Sequence, residues 1–225
     1  AFQTPFVSGK DSLNNQFTTE DGRLIAIPQT LLITALGIVP DARRCRTMDA
    51  KAVGNLLFVV GATDGRMGGS HLAMIDADAA LDRAIPRVDL KLGPRHAHVV
   101  AELIADGLIA SAHDCSDGGL LVAAAEMAFA GRIGLDIDLE GVPTKQLLDA
   151  MVACFSETPS RYLLEVAPRN VDAVIRRLRD ADIAWGQVGT FADHDRLTVR
   201  NARDGRILDA SLDDLLAAWT APLDW

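Results

Sequence analysis

An α/β fold built on a mixed sheet, preceded by a β-rich lead-in, is the architecture this sequence predicts. Three observations carry the prediction. From Gly54 onward, short apolar and β-branched runs alternate with stretches of helical period. The first fifty residues show no helical period and carry Pro28 and Pro40, which argue against a helix there. Hydrophobic residues make up 49% of the 225 and charged residues 24%, enough apolar material for a sizeable core. The division is placed near residue 50, with residues 1–50 as the end of one domain and 51–225 as a C-terminal α/β domain.

Each element follows from local pattern. Thr4 to Phe17 reads as a strand end followed by a polar loop, Asp21-Gly22 is a hairpin signal, and Leu24 to Val39 clusters apolar residues in extended style. This lead-in has too little apolar patterning for a core of its own and needs partners. Asn55 to Val60 is a buried strand, followed by a Gly-rich loop from Gly61 to Ser70 and an apolar stretch from His71. Leu92 to Asp106 is helical, with Val99, Val100, Leu103 and Ile104 at three- and four-residue spacing. Leu108 to Ala112 reads as a short strand, His113 to Gly119 as a polar loop, and Leu120 to Ala130 as an Ala-rich helix closed by Gly131. Gly134 to Leu139 alternates as a strand. Thr144 to Cys154 reads as a short helix burying Leu147, Leu148 and Met151. A strand over Arg161–Val166, a helix start at Pro168 and an amphipathic helix over Val171–Asp180 follow. The last strands are Ile183–Phe191 and Arg196–Arg200, and the last helix is Leu212–Trp219.

Composition excludes several function classes. Acidic residues number 31 against 22 basic, a net charge of −9. Nucleic acid and anionic membranes both require clustered Lys and Arg, so neither is an expected partner. No apolar run approaches the ~18 residues of a membrane span. The start lacks the basic and apolar regions of a signal peptide, and Ala1 stands where an initiator Met would, which suggests a piece of a longer chain. Three widely spaced cysteines, Cys45, Cys115 and Cys154, suit reduced thiols in the cytoplasm.

The segment His113-Asp114-Cys115-Ser116-Asp117-Gly118-Gly119-Leu120 is the richest in chemistry. A strand ends, two carboxylates and a hydroxyl follow, and a glycine pair opens a helix whose N-terminal amides favour an anion. Asp114 and Asp117 are hard oxygen ligands of the kind that hold Mg²⁺ with a phosphate. The plainer alternative is that Ser116 or Asp117 caps the helix. Val7-Ser8-Gly9-Lys10-Asp11-Ser12-Leu13-Asn14 is a second polar cluster, either an ordinary solvated turn or a phosphate contact through Gly9 and Lys10. It lacks the spacing of a Walker loop. Gly65 to Ser70 is read as a flexible β-to-α connection with Ser70 as cap. His96 and His98 lie two apart on a helix and so face different sides, which argues against a metal pair. Cys115, beside His113, is read as a plain buried thiol.

The run from His113 to Leu120, continued through Glu126-Met127-Ala128-Phe129-Ala130-Gly131, resembles the second-domain signature of the aminoimidazole ribonucleotide synthetase superfamily. Within it, the likeness is to the phosphoribosylformylglycinamidine synthase family of purine biosynthesis. Thr4 to Leu13, Gly68-Gly69-Ser70 and Phe155-Ser156-Glu157 followed by Arg161 are similar to that family's segments in order and distance. The resemblance implies a ligase that uses ATP and Mg²⁺ to amidate formylglycinamide ribonucleotide with ammonia from a glutaminase domain or subunit. It implies that Gly9, Lys10 and Ser116 contact the nucleotide, that Ser12 contacts the substrate and that Asp114 holds the metal. It implies no catalytic side chain here, since the family's catalytic His lies in the N-terminal half, an expected partner. Residues 1–50 would then end a nucleotide-binding-type domain. Lys10 and Asp11 point to the long form of such enzymes and Phe155-Ser156-Glu157 to the short form. The alternatives are a non-catalytic half holding a structural nucleotide, or another ATP-using member of the superfamily of the selenophosphate synthetase, thiamine-phosphate kinase or hydrogenase-maturation type.

Overall fold

The computed structural model describes residues 1–10, 15–27, 30–76, 78 and 83–223. Asp11, Ser12, Leu13, Asn14 and Pro28, all named above, lie outside the described residues. By packing, the chain divides into a unit over Ala1–Ala42 and a unit over Arg43–Trp225.

In the first unit, β1 (Gln16–Thr18) pairs antiparallel with β2 (Leu24–Ala26). The Asp21-Gly22 signal makes the turn between them: Gly22 sits at φ +80° and its amide donates to the Thr19 carbonyl at 2.9 Å. The extended style read across Leu24 to Val39 yields a strand only at Leu24–Ala26 among the described residues. Leu31, Leu32, Leu36 and Ile38 are exposed.

The second unit is a mixed α/β fold. Its described strands are β3 (Leu56–Val60), β4 (Ser111–Asp114), β5 (Gly134–Asp138), β6 (Tyr162–Val166), β7 (Trp185–Ala192), β8 (Arg196–Asn201) and β9 (Gly205–Ser211). They form one sheet in the order β4-β6-β3-β7-β5-β8-β9, antiparallel throughout except for the parallel β5–β8 pair. The helices are α1 (His71–Ile75), α2 (Leu92–Ala105), α3 (Gly119–Gly131), α4 (Ala150–Phe155), α5 (Val171–Asp180) and α6 (Leu212–Thr220). Strand β3 explains its own unbroken apolar run. Leu57 and Val59 face a core shared with α3, while Phe58 and Val60 face a second core shared with α2 and α5. A strand covered on both faces has no polar side to show.

Several expectations need correction. The helix read over Thr144–Cys154 begins only at Ala150, because Thr144 bridges to Thr63 and its hydroxyl accepts the Gln146 amide at 3.2 Å. The Asp149 carboxylate then accepts the Met151 amide at 2.8 Å and starts the helix. Leu147 is fully exposed, Met151 is exposed and Leu148 is half-buried, so the expected burial of the three fails. The strand read over Leu108–Ala112 is shifted to Ser111–Asp114, since its partner β6 sets the register Ser111↔Glu165 to Asp114↔Tyr162. Gly131 is the last helical residue and not the cap. Arg132 takes the left-handed position at φ +55°, and Gly131 is glycine because a Cβ there would lie 2.4 Å from the Ala50 carbonyl oxygen. Strand β9 lies beyond the last strand the sequence pattern predicts, although Asp204-Gly205 is the same hairpin signal, with Gly205 at φ +74°.

Candidate functional site

The turn from β4 into α3 builds the site. Pairing with Tyr162 carries the strand through Asp114, and the Cys115 amide still reaches the Arg161 carbonyl at 3.0 Å. Gly118 (φ +77°) and Gly119 (φ +71°) then reverse the chain. At Gly119 a Cβ would lie 2.5 Å from the Ser156 carbonyl oxygen, so only glycine lets α3 seat against the end of α4. The cap of α3 is Gly118, with no side-chain hydrogen bond, so neither Ser116 nor Asp117 caps the helix. A cavity of about 370 Å³ opens here, lined among others by Asp114, Ser116, Asp117, Glu157, Arg161 and Tyr162.

Its electrostatics are acidic. The Ser116 hydroxyl donates to Asp114 Oδ2, and this bond, with His113 at 3.3 Å, holds the Asp114 carboxyl below its ordinary range against the cost of partial burial. Asp114 remains 59% exposed and Asp117 83%. His113 Nε2 lies 2.6 Å from Glu126, whose other oxygen accepts the Trp219 indole N–H at 3.1 Å. Burial raises the Tyr162 hydroxyl, and the Asp114 charge adds to it. Glu157 Oε1 accepts the amides of Gly118 and His71, each at 2.8 Å, and faces His71 Nδ1 at 3.1 Å. The anion expected at the start of α3 is therefore supplied from within, by Glu157. Arg161 is buried and spends its guanidinium on the chain itself: on the Thr158 carbonyl at 3.2 Å, the Thr63 hydroxyl at 2.9 Å and the Ser156 carbonyl. Burial pushes the Cys115 thiol up to about 11, which makes it inert, as its sequence setting suggested.

Carboxylates facing a cavity whose cation is spent elsewhere favour a hard divalent ion over a bare phosphate. The donor set fits Mg²⁺: Asp114 and Asp117 offer accessible oxygens and Glu157 a third, while the one thiol nearby is buried. His71, Asp117 and Glu157 also bring one ligand atom each to within 4.8 Å of one another.

A family described as AIR synthase related protein, C-terminal domain, matches residues 52–201. The chain belongs to that family. Among curated relatives, a phosphoribosylformylglycinamidine synthase subunit PurL from Azorhizobium caulinodans is 38% identical over 203 residues, covering 90% of this chain and 26% of the relative. The chain spans between 24% and 30% of the length of the curated relatives it matches. Two solved structures of T. maritima PurL, complexed with ATP and with FGAR, superpose with TM-scores of 0.65 and 0.68 over 77% of this chain. They cover 27% and 30% of those chains at 17% and 19% identity, which shows a shared fold.

Within this AIR-synthase-related domain, the residues named from sequence distribute unevenly. Asp114 and Ser116 are adjacent and bonded at the cavity mouth. Gly9 and Lys10 belong to the first unit, outside regular structure, and Ser12 lies outside the described residues. Gly65 to Ser70 is a connection: Gly68 packs on the Arg83 backbone, and Ser70 Oγ caps α1 by accepting the Ala73 amide at 3.2 Å. Sequence reasoning placed no role on Glu157 or His71. The signal was present in Ser156-Glu157 and in His71 just after Gly68-Gly69-Ser70, but only the fold brings the two segments together.

Proposed function

We propose that this chain is the C-terminal part of an ATP-dependent ligase of purine biosynthesis. The ligase converts formylglycinamide ribonucleotide to formylglycinamidine ribonucleotide with ammonia drawn from glutamine. Family membership and the PurL relatives support this reading. The observation that carries it is the Asp114–Ser116 pair at the mouth of an acidic cavity between β4 and α3. Asp114, already ionised and half open, offers lone pairs to Mg²⁺. The Ser116 hydroxyl can turn from Asp114 to a phosphate oxygen of ATP or ADP. The ion supplies charge neutralisation for the transferring phosphoryl group, which needs positioning and electrostatics more than a covalent side chain. Gly9 and Lys10 contribute nucleotide contacts and Ser12 a substrate contact in the same proposal. The N-terminal half of the enzyme and a glutaminase domain or subunit complete the reaction in the cytoplasm.

The test is an assay of the full-length protein that contains this chain, with formylglycinamide ribonucleotide, ATP and ammonia. Substrate-dependent ADP release that needs Mg²⁺ is expected. Titration of Mg·ADP into the 225-residue chain then isolates the site, with binding lost in Asp114→Ala. Absence of substrate-dependent turnover overturns the reaction. Undiminished Mg·ADP binding by Asp114→Ala overturns the assignment of the site.

A further inference from the structure

Beyond Pro159 and Ser160, which line both spaces, lies a larger cavity of about 930 Å³ that the proposed ligase site does not use. It opens where β3 ends, at Gly61–Asp64, and where α2 begins, at Leu92 and Gly93. His96 lines it and is only 6% exposed. Its Nδ1 stands 2.8 Å from the Ser160 carbonyl oxygen. A carbonyl only accepts, so Nδ1 carries the hydrogen, and in the neutral ring Nε2 holds the lone pair. Nε2 has no partner among the described residues, yet no fully buried side-chain nitrogen or oxygen there lacks one. Nε2 therefore reaches open space, and the open space beside His96 is this cavity.

The ring is held by close packing. Gly61, at φ +95°, passes so near that a Cβ would lie 3.0 Å from the Ser160 oxygen and 3.3 Å from His96 Cε1. A Cβ on Gly93 would lie 2.8 Å from Ser160 Oγ, and Ser160 itself is left-handed at φ +63°. A non-glycine residue kept in that conformation is a cost that surrounding structure must impose. Three carboxylates line the cavity and each is answered. Asp64 pairs with Arg66 at 2.6 Å, Asp89 accepts the amides of Lys91 and Leu92 at 2.8 and 2.9 Å, and Asp182 faces Arg95 at 3.9 Å. Arg87 and Lys145 line the same space; Arg87 has no ion pair or hydrogen bond among the described residues, while the Lys145 charge acts on Asp89. The first turn of the 14-residue α2 adds positive potential.

We propose that this second cavity binds a small phosphorylated polyol of the sugar-phosphate class. A hydroxyl donates to His96 Nε2, and the phosphate lies toward Arg87, Lys145 and the start of α2. The His96 acceptor without a donor and the Arg87 cation, unpaired among the described residues, are complementary to one molecule that carries both a hydroxyl and a phosphate. The space exceeds the need of a lone phosphate. The two cavities share only the wall at Pro159 and Ser160, and neither Asp114 nor Ser116 takes part here, so the two proposals fail separately.

The experiment uses the 225-residue chain with ¹⁵N-labelled histidine, titrated with ribose 5-phosphate, ribose and inorganic phosphate and read by NMR. Expected are the Nδ1–H tautomer for the neutral His96 ring and a saturable shift of Nε2 with ribose 5-phosphate. Affinity for ribose 5-phosphate should exceed that for either fragment by about tenfold or more. Arg87→Ala/Lys145→Ala, at exposed positions that leave the fold intact, weakens binding by about tenfold, and Asp114→Ala leaves it unchanged. The His96→Phe variant abolishes binding, with thermal unfolding as its check on folding. The Nε2–H tautomer in the neutral ring, no saturable shift up to about 10 mM, or equal affinity for inorganic phosphate alone overturns the proposal.

Discussion

Glu165 offers the sharpest energetic test, because it is fully buried in β6 and takes its partners from the chain rather than from a cation. Its oxygens accept the backbone amide of Lys51 at 2.9 Å, that of Ala52 at 3.0 Å, the Asn55 side-chain amide at 2.6 Å and the Ser111 hydroxyl at 2.5 Å. The Lys51 ammonium turns instead to Asp49 at 2.5 Å. Replacing a buried ion pair by an apolar residue is often harmless, since both charges leave together. Here the donors stay. In Glu165→Leu the Ser111 hydroxyl can rotate and Asn55 can reorient, but the two backbone amides are fixed. Each unsatisfied amide costs about 1–3 kcal/mol, and leucine burial returns about 1.5–3 kcal/mol, so a net loss of about 2 kcal/mol is expected. Glu165→Gln keeps one acceptor oxygen for Ala52 and Asn55 and turns its NH₂ toward the Ser111 oxygen, so it should lose only about 1 kcal/mol. Urea unfolding followed by tryptophan fluorescence measures both. A Glu165→Leu protein as stable as the wild type, or more so, would refute the argument that the amides rather than the charge set the cost.

Three further outcomes are expected. Gly119→Ala combines a left-handed φ with a Cβ 2.5 Å from a carbonyl oxygen and should lose about 3 kcal/mol, whereas Gly205→Ala, left-handed but with open space around it, should lose about 1 kcal/mol; thermal unfolding orders the pair. The folded Asp114 carboxyl is depressed, so its favourable contacts are fully present above the ordinary carboxylate pKa and fade as pH falls through the lower folded value. Carboxyl ¹³C titration should place its midpoint below the ordinary range, and Ser116→Ala, which removes the largest cause, should raise it. At pH 8 a thiol reagent should modify exposed Cys45 in the native protein and spare Cys115 and Cys154, whose thiols burial pushes to about 11 and about 12; urea should expose all three.

What was legible in the sequence was whatever a single segment decides. The buried strand at Leu56–Val60 and the helix at Val171–Asp180 carry their period in their own residues, and Asp21-Gly22 names its own turn. What escaped was decided by partners. Strand β4 moved three residues because Leu163 and Tyr162 pair with His113 and Asp114, which no pattern around Leu108 reveals. Helical spacing predicts a buried Leu147, but the Asp149 cap starts the helix beyond it. Residues 43–50 join the second unit through Ala50, whose amide donates to Met127 at 3.0 Å, a contact between segments nearly eighty residues apart.

The site divides along the same line, and the division bears on its chemistry. Asp114, Ser116 and Asp117 come from one stretch, and their oxygen chemistry was visible in it. The expectation of an external anion at the start of α3 followed from the helix alone, and it failed because Glu157, from the α4–β6 connection, reaches that amide first. Arg161 would have looked like the compensating cation, yet carbonyls and a hydroxyl consume its guanidinium. With the helix amide and the arginine both engaged internally, the charge left facing the cavity is that of Asp114 and Asp117. A polyphosphate approaching it meets like charge, which a bound metal ion would neutralise. Nucleotide alone should therefore bind far more weakly than its magnesium complex, by about 1–2 kcal/mol for each carboxylate left unscreened.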